Sequence, residues 1–327
     1  MKYRTLGKTG LEISEIVFGG GFVGGILIDP DDDTKREAIR RAVAAGVNWI
    51  DTAASYGQGR SEEALGWLLP ELGVDPHVST KVGLDINRLD DIDGQIEESI
   101  HASLKRLNRQ SVDLLQLHNH IGTEVAGRTI LHEHAMQAAD GFEKMREQGL
   151  IDFIGFTALG EADTLRGVAN SGRYDTAQVY YNMLNPSAGW QETRNWQCHE
   201  FTGLLDTCAA NNVGVMNIRV FAAGLLVTEK RHGREIPITT HSDLKAEEAR
   251  VKTILDVLDL GPNGTTPYGT RSQTALRFAL TNPNLACSVV GMAELDHLDQ
   301  AVAASDMGPL PNSAMQALEK LYEETGG

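Results

Sequence analysis

The sequence predicts an α/β protein built as a single (β/α)8 barrel over residues 1–327, with an N-terminal β-hairpin and extra C-terminal helices. Three observations carry this. Short, continuous apolar runs alternate with amphipathic segments, and eight such β-then-α units can be counted. No linker or composition break divides the chain, whose length suits one closed barrel better than a doubly wound sheet. Several of the runs also stop on polar residues, which is where barrels of this kind carry their chemistry.

Taken in order, Tyr3 to Leu6, Gly7-Lys-Thr-Gly10 and Leu11 to Ile13 read as a hairpin with a glycine-rich turn. Ile16-Val-Phe18 is the first barrel strand and ends in three glycines, Gly19 to Gly21. Asp31-Asp-Asp-Thr34 caps a helix running to about Ala45. The second strand, Asn48 to Asp51, leads into a glycine-bounded loop with Tyr56, and Ser61 reads as the cap of the next helix. His77 to Lys81 is the third strand, and Asp93 to Leu107 is a helix with Ile96, Ile100, Leu104 and Leu107 on one face. Val112 to His118 is the fourth strand. A long connection follows, then a helix from about Met136 to Gln148. Phe153 to Thr157 and Thr176 to Tyr180 are strands, with a helix from Glu161 to Asn170 between them. Phe201 to Ala210 is a helix and Gly214 to Asn217 a strand. From Phe221 to Thr270 the pattern loosens around one helix, Asp243 to Leu258, and reads as an insertion that covers a site. Ser272 to Leu280, Leu295 to Ala304 and Pro311 to Glu324 are helices, with the last strand at Cys287 to Val290.

Composition excludes some partners. The formal net charge of -16 argues against nucleic acid and anionic membranes, which call for clustered Lys and Arg. Cys198, Cys208 and Cys287 are an odd, scattered set with neither a disulfide framework nor zinc-site spacing. Met1-Lys-Tyr-Arg-Thr-Leu lacks the apolar core of a signal peptide, so a reducing cytoplasm is the expected home.

Three consecutive strands end on Asp51, Lys81 and His118, and Tyr56 hangs from the loop beside them. Each alone has an ordinary reading as cap, solvated strand end or packing. Together they point to a site, because a buried lysine and aspartate at one barrel mouth are costly unless paired. The chemistry they suit is proton-coupled hydride transfer. Asp51 holds Lys81 charged, Lys81 stabilises the Tyr56 phenolate, and His118 hydrogen-bonds the substrate oxygen. No nucleophile elbow or metal triad is evident. His118-Asn-His120 lacks metal-ligand spacing, so no metal is expected. His132 and His134 are expected in a loop at the pocket or in solvent.

At this point the chain resembles the aldo-keto reductase superfamily along nearly its whole length. The resemblance is carried by Leu6-Gly-Lys-Thr-Gly-Leu11, Gly46-Val-Asn-Trp-Ile-Asp-Thr-Ala-Ala-Ser-Tyr-Gly57 with Ser61-Glu62, Ser79-Thr-Lys81 and Leu114-Leu-Gln-Leu-His118. Ser79-Thr-Lys-Val-Gly83 and Asn217-Ile-Arg-Val-Phe221 are similar to sugar-oxidising members such as L-galactose or D-threo-aldose dehydrogenases. The resemblance implies a barrel with a nicotinamide cofactor across its C-terminal face and a catalytic set of Asp51, Tyr56, Lys81 and His118. It implies that Gly19, Gly20 and Asp51 lie beside the nicotinamide and that Gln178 binds its carboxamide. Thr157-Ala158 stands where the family has Ser-Asn, so one hydroxyl is kept and an amide is lost. Ile218 replaces a stacking tyrosine, and Arg219 is expected at the pyrophosphate with Phe221 and Gly224. Gly291, Met292, Ala293, His297 and Gln300 are the expected adenosine end.

That end offers no Lys or Arg to a 2′-phosphate, and Glu294 would repel one, so NAD is slightly favoured over NADP. Phe22, Tyr56, His118, His120 and Trp190 are the expected substrate walls. The expected function is NAD(P)-dependent interconversion of a carbonyl and an alcohol on a small carbonyl or sugar substrate. The alternative is a cofactor-sensing regulatory subunit of a membrane protein, which the resemblance to potassium-channel β-subunits allows. The sequence leaves the substrate and the oligomeric state open.

Overall fold

The computed structural model describes residues 1–229, 239, 243–261 and 266–326. The insertion expected over 221–270 therefore lies partly outside the described residues. Strand β1 (Tyr3–Thr5) pairs antiparallel with β2 (Glu12–Ser14) across a tight turn at Gly7–Thr9. Then follow β3 (Ile16–Gly19), α1 (Asp32–Ala44), β4 (Trp49–Asp51), α2 (Arg60–Leu72), β5 (His77–Val82), α3 (Ile92–Leu107) and β6 (Val112–Leu117). After two short strands, β7 (His120–Gly122) and β8 (Thr129–Leu131), come α4 (His132–Glu147), β9 (Ile151–Ala158), α5 (Ala162–Asn170) and β10 (Thr176–Tyr180). The chain continues through α6 (Leu204–Ala210), β11 (Gly214–Ile218), α7 (Leu244–Val257), α8 (Arg271–Thr281), β12 (Cys287–Gly291), α9 (Leu295–Met307) and α10 (Asn312–Thr325).

Eight of these strands close into a parallel barrel in the order β3-β4-β5-β6-β9-β10-β11-β12 and back to β3. The hairpin plugs its N-terminal end. Leu6 and Ile13 are fully buried in one cluster with Trp49, Leu114, Met216 and Cys287 near the strand starts. Outside the strands, the helices bury their apolar stripes; on α3 this is the expected Ile96, Ile100, Leu104 and Leu107 face. Capping follows the sequence where a short polar side chain is free to turn back. Asp31 accepts from the Thr34 amide at 2.9 Å and starts α1. With the lower mouth sealed, the opposite rim is left for a site.

Three local expectations are corrected. Ser61 is not the cap of α2, because its hydroxyl is buried against that of Thr52 at 2.8 Å; the cap position falls to Gly59, left-handed at φ 93°. His132 and His134 belong to the first turn of α4, and His134 Nδ1 accepts from the Leu131 amide at 3.2 Å. The connection after β6 is not bare loop, since β7 and β8 pair within it. Helix α7, the expected helix of the insertion, packs against α10. Among the described residues no helix is long and apolar enough to cross a membrane.

Candidate active site

Asp51 is the last residue of β4 and Lys81 the penultimate residue of β5, so parallel pairing brings both to the same rim. Lys81 Nζ donates to Asp51 Oδ2 at 2.5 Å and to the Thr52 carbonyl at 2.7 Å. The residues are only 1% and 2% exposed, so neither charge is solvated by bulk water. The other carboxylate oxygen, Oδ1, accepts from Ser79 Oγ at 2.8 Å, Gln178 Nε2 at 2.7 Å and Gln116 Nε2 at 3.1 Å. Such a buried ion needs this full complement. Burial pushes the Lys81 pKa down, but Asp51 and Tyr56 more than offset it, leaving the pKa above the ordinary lysine value. Lys81 is therefore an ammonium at neutral pH.

Tyr56 opens a tight turn, Tyr56–Gly59, directly before α2. The Lys81 ammonium lies 4.8 Å from the Tyr56 ring centroid. His118 follows β6, and its ring meets that of Tyr56 edge to face, with centroids 5.9 Å apart. Burial, then the charges of Lys81, Arg128 and His120, holds the His118 pKa well below the usual imidazole value, so the ring is neutral near pH 7. The Tyr56 turn is tied from behind. Glu62 is fully buried in α2, where it accepts from Thr80 Oγ1 at 2.5 Å and from Arg106 Nε at 2.6 Å. The Arg106 stem fills the space beside Gly59, where a Cβ would meet its Cδ at 2.7 Å.

Several of the residues expected at the cofactor lie at the ends of barrel strands or just beyond them. Gly19 ends β3, Gly291 ends β12, Ile218 ends β11, and Thr157 pairs in register with Gln178 across β9 and β10. Arg219, Phe221 and Gly224 lie in the turn after β11, where Arg219, Ala222, Ala223 and Gly224 all take left-handed backbone. Two features fit a nicotinamide dinucleotide. Thr157 Oγ1 is buried without a hydrogen-bond partner beside Gln178, and a carboxamide brings both a donor and an acceptor. The step from Phe221, at φ -97° and ψ 8°, to Ala222, at φ 47°, is the alternating backbone form that builds anion-binding concavities, as a pyrophosphate needs. Met292 is buried, with its carbonyl accepting from the Ile26 amide at 3.1 Å, while Glu294 and Asp296 are exposed. His297 Nδ1 takes the Ala293 amide at 3.3 Å, and Gln300 accepts from Thr270 Oγ1 at 3.1 Å.

Of the expected substrate walls, His120 sits half-buried on β7 and Phe22 is 41% exposed beside the glycine run. Trp190 packs edge to face on Trp196, with the Arg194 guanidinium 4.0 Å from its ring centroid. Some residues of the site were not singled out from the sequence. Ser79 and Gln116 reach Asp51 only because register sets strand beside strand. Arg128, in a connection read as loop, donates to the His118 carbonyl at 3.1 Å. The inward alternation of Ser79 and Lys81 along one strand was the available signal for Ser79.

Comparison with known proteins bears directly on this arrangement. The aldo/keto reductase family model matches residues 15–323. The chain belongs to the aldo/keto reductase family. It is 27% identical to an L-galactose dehydrogenase of Arabidopsis thaliana over 310 residues, covering 93% of this chain and 88% of that protein. It is 29% identical to a D-threo-aldose 1-dehydrogenase of Pseudomonas sp over 254 residues, covering 69% and 71% of the two chains. Among solved structures, the holo form of aldo-keto reductase AKR11C1 from Bacillus halodurans superposes with a TM-score of 0.74 at 21% identity, over 98% of this chain and 96% of that one. That likeness is one of fold. As an aldo/keto reductase, the chain is an oxidoreductase of a family that works with NAD(P).

Proposed function

We propose that this aldo/keto reductase interconverts a carbonyl and an alcohol, with Tyr56 as the proton-carrying group. The observation that carries the reading is the buried Lys81–Asp51 pair beneath the Tyr56 ring. A cationic neighbour stabilises the negative charge that a phenol gains as it releases its proton. The nicotinamide cofactor supplies or accepts the hydride. In reduction Tyr56 gives its proton to the substrate oxygen; in oxidation it takes the proton back. His118, neutral and close to Tyr56, hydrogen-bonds that oxygen and orients it. Asp51, anchored by Ser79, Gln116 and Gln178, keeps Lys81 in position. Gln178 and Thr157 hold the carboxamide, and the Arg219–Gly224 turn holds the pyrophosphate. The Arabidopsis and Pseudomonas relatives support an aldose as the substrate class. The exposed carboxylates of Glu294 and Asp296 at the start of α9 support NAD over NADP.

The test is turnover across a panel of aldoses, aldehydes and ketones by the parent and by Tyr56→Phe. The expected result is a loss of about 10²- to 10⁴-fold in kcat with cofactor binding retained. A Tyr56→Phe variant as active as the parent would end the reading. Tight cofactor binding with no turnover on any member of the panel would favour the regulatory-subunit alternative.

A further inference from the structure

The three glycines at the end of β3 are not equivalent. A Cβ on Gly19 would meet the Val290 carbonyl oxygen at 2.9 Å, and one on Gly20 would meet Ser61 Oγ at 2.6 Å. Close packing therefore requires glycine at both. Gly21 is different. A Cβ there would lie 3.6 Å from Tyr56 Cε2, 3.6 Å from Cζ and 3.9 Å from the hydroxyl oxygen, all ordinary contacts. Nor is Gly21 among the residues with left-handed backbone. Neither space nor conformation calls for glycine at this position. What a side chain would do there is cover the phenol of Tyr56 from the β3 side. The next residue, Phe22, is 41% exposed.

We propose that Gly21 determines specificity by keeping the Tyr56 phenol open to a reacting carbon that carries two non-hydrogen substituents besides the oxygen acted on. Ketones, secondary alcohols and the ring-closed anomeric carbon of a sugar are of this kind. An aldehyde carbon presents a hydrogen on one side, so a wall against the phenol costs it little. A ketone or a ring carbon presents carbon or oxygen on both sides and needs the room. Discrimination of this steric kind is worth about 10- to 200-fold for a single methylene-sized group. The inference rests on the carbonyl–alcohol reading of the site and narrows its substrate class.

The experiment compares kcat/KM for acetophenone and benzaldehyde, and for cyclohexanone and hexanal, in the parent, Gly21→Ala and Gly21→Val. The ketone-to-aldehyde ratio is expected to fall about tenfold in the alanine variant and further in the valine variant. The NADH dissociation constant, read by fluorescence, is expected to stay within about threefold, which separates substrate width from cofactor loss. Equal losses on ketone and aldehyde, or no loss, would overturn the proposal. Calorimetric titration of NADH-loaded parent and variants with cyclohexanol and 1-hexanol, a pairing with no hydride acceptor, reads the same ratio without turnover. A parent that turns over no carbonyl defeats the functional reading, while the titration still decides the role of Gly21.

Discussion

At the scale of single residues, the site depends on charges that the fold holds fixed. His118 illustrates the consequence for pH. Its pKa is held below the ordinary value near 6.5 by burial and by the cations around it. The folded chain therefore binds fewer protons at this residue than the unfolded chain does once the pH drops below about 6.5. The stability contributed by a neutral His118 is present above that pH and lost as the pH falls. His120 is lowered too, mainly by burial, and acts in the same direction. The pH dependence of Tm between 7.5 and 5.5 is expected to be shallower in His118→Asn than in the parent, by about 1.4 kcal/mol of unfolding free energy across the interval. Identical slopes in thermal melts would remove this account of the imidazole.

At the scale of elements, the Tyr56 turn is backed by a neighbouring helix, α3. Arg106 of α3 reaches Glu62 of α2, which in turn holds Thr80 next to Lys81 in the chain. The Arg106→Met variant leaves the Glu62 carboxylate buried with one hydroxyl for company. Breaking a buried pair in this way costs about 3 kcal/mol. A clear drop in Tm is expected, with kcat falling as the Tyr56 turn loosens. The double variant Arg106→Met, Glu62→Gln is expected to recover part of the loss, because no uncompensated charge remains. Unchanged melting of the single variant would show that the turn is held by something else.

These elements were largely legible in the chain. Continuous apolar runs and period-3.6 patterns located the eight barrel strands and the helices between them, and strand ends led to Asp51, Lys81 and His118. What was hidden shares a physical cause. Gln116 and Gln178 converge on one Asp51 oxygen from strands 62 residues apart in sequence, counted from residue 116 to residue 178. Only strand register brings them together. The cap of α2 was misread because the Ser61 hydroxyl has a tertiary partner in Thr52, a contact that no local rule contains. The pairing of β7 with β8 was missed because both strands are three residues long.

At the scale of the whole molecule, net charge and cofactor choice meet at one rim. The chain carries a formal charge of -16, and the start of α9 adds exposed Glu294 and Asp296 where the adenosine end is expected. A 2′-phosphate would approach this region against repulsion of about 1 kcal/mol per carboxylate at 4 Å in water. NADH is therefore expected to outperform NADPH about fivefold in kcat/KM, with the gap narrowing as salt screens the exposed charges. Steady-state rates with both cofactors at two ionic strengths check this. A clear NADPH preference would reverse the assignment.

The carboxylate of Asp51 is also a knot in the scaffold. One of its oxygens gathers donors from β5, β6 and β10, and the other grips the lysine of β5. Evolution or a designer who replaced this acid would unfasten staves on both sides of the barrel in the same stroke. Such a scaffold accepts new substrates through its loops far more readily than a new reaction at its strand tips.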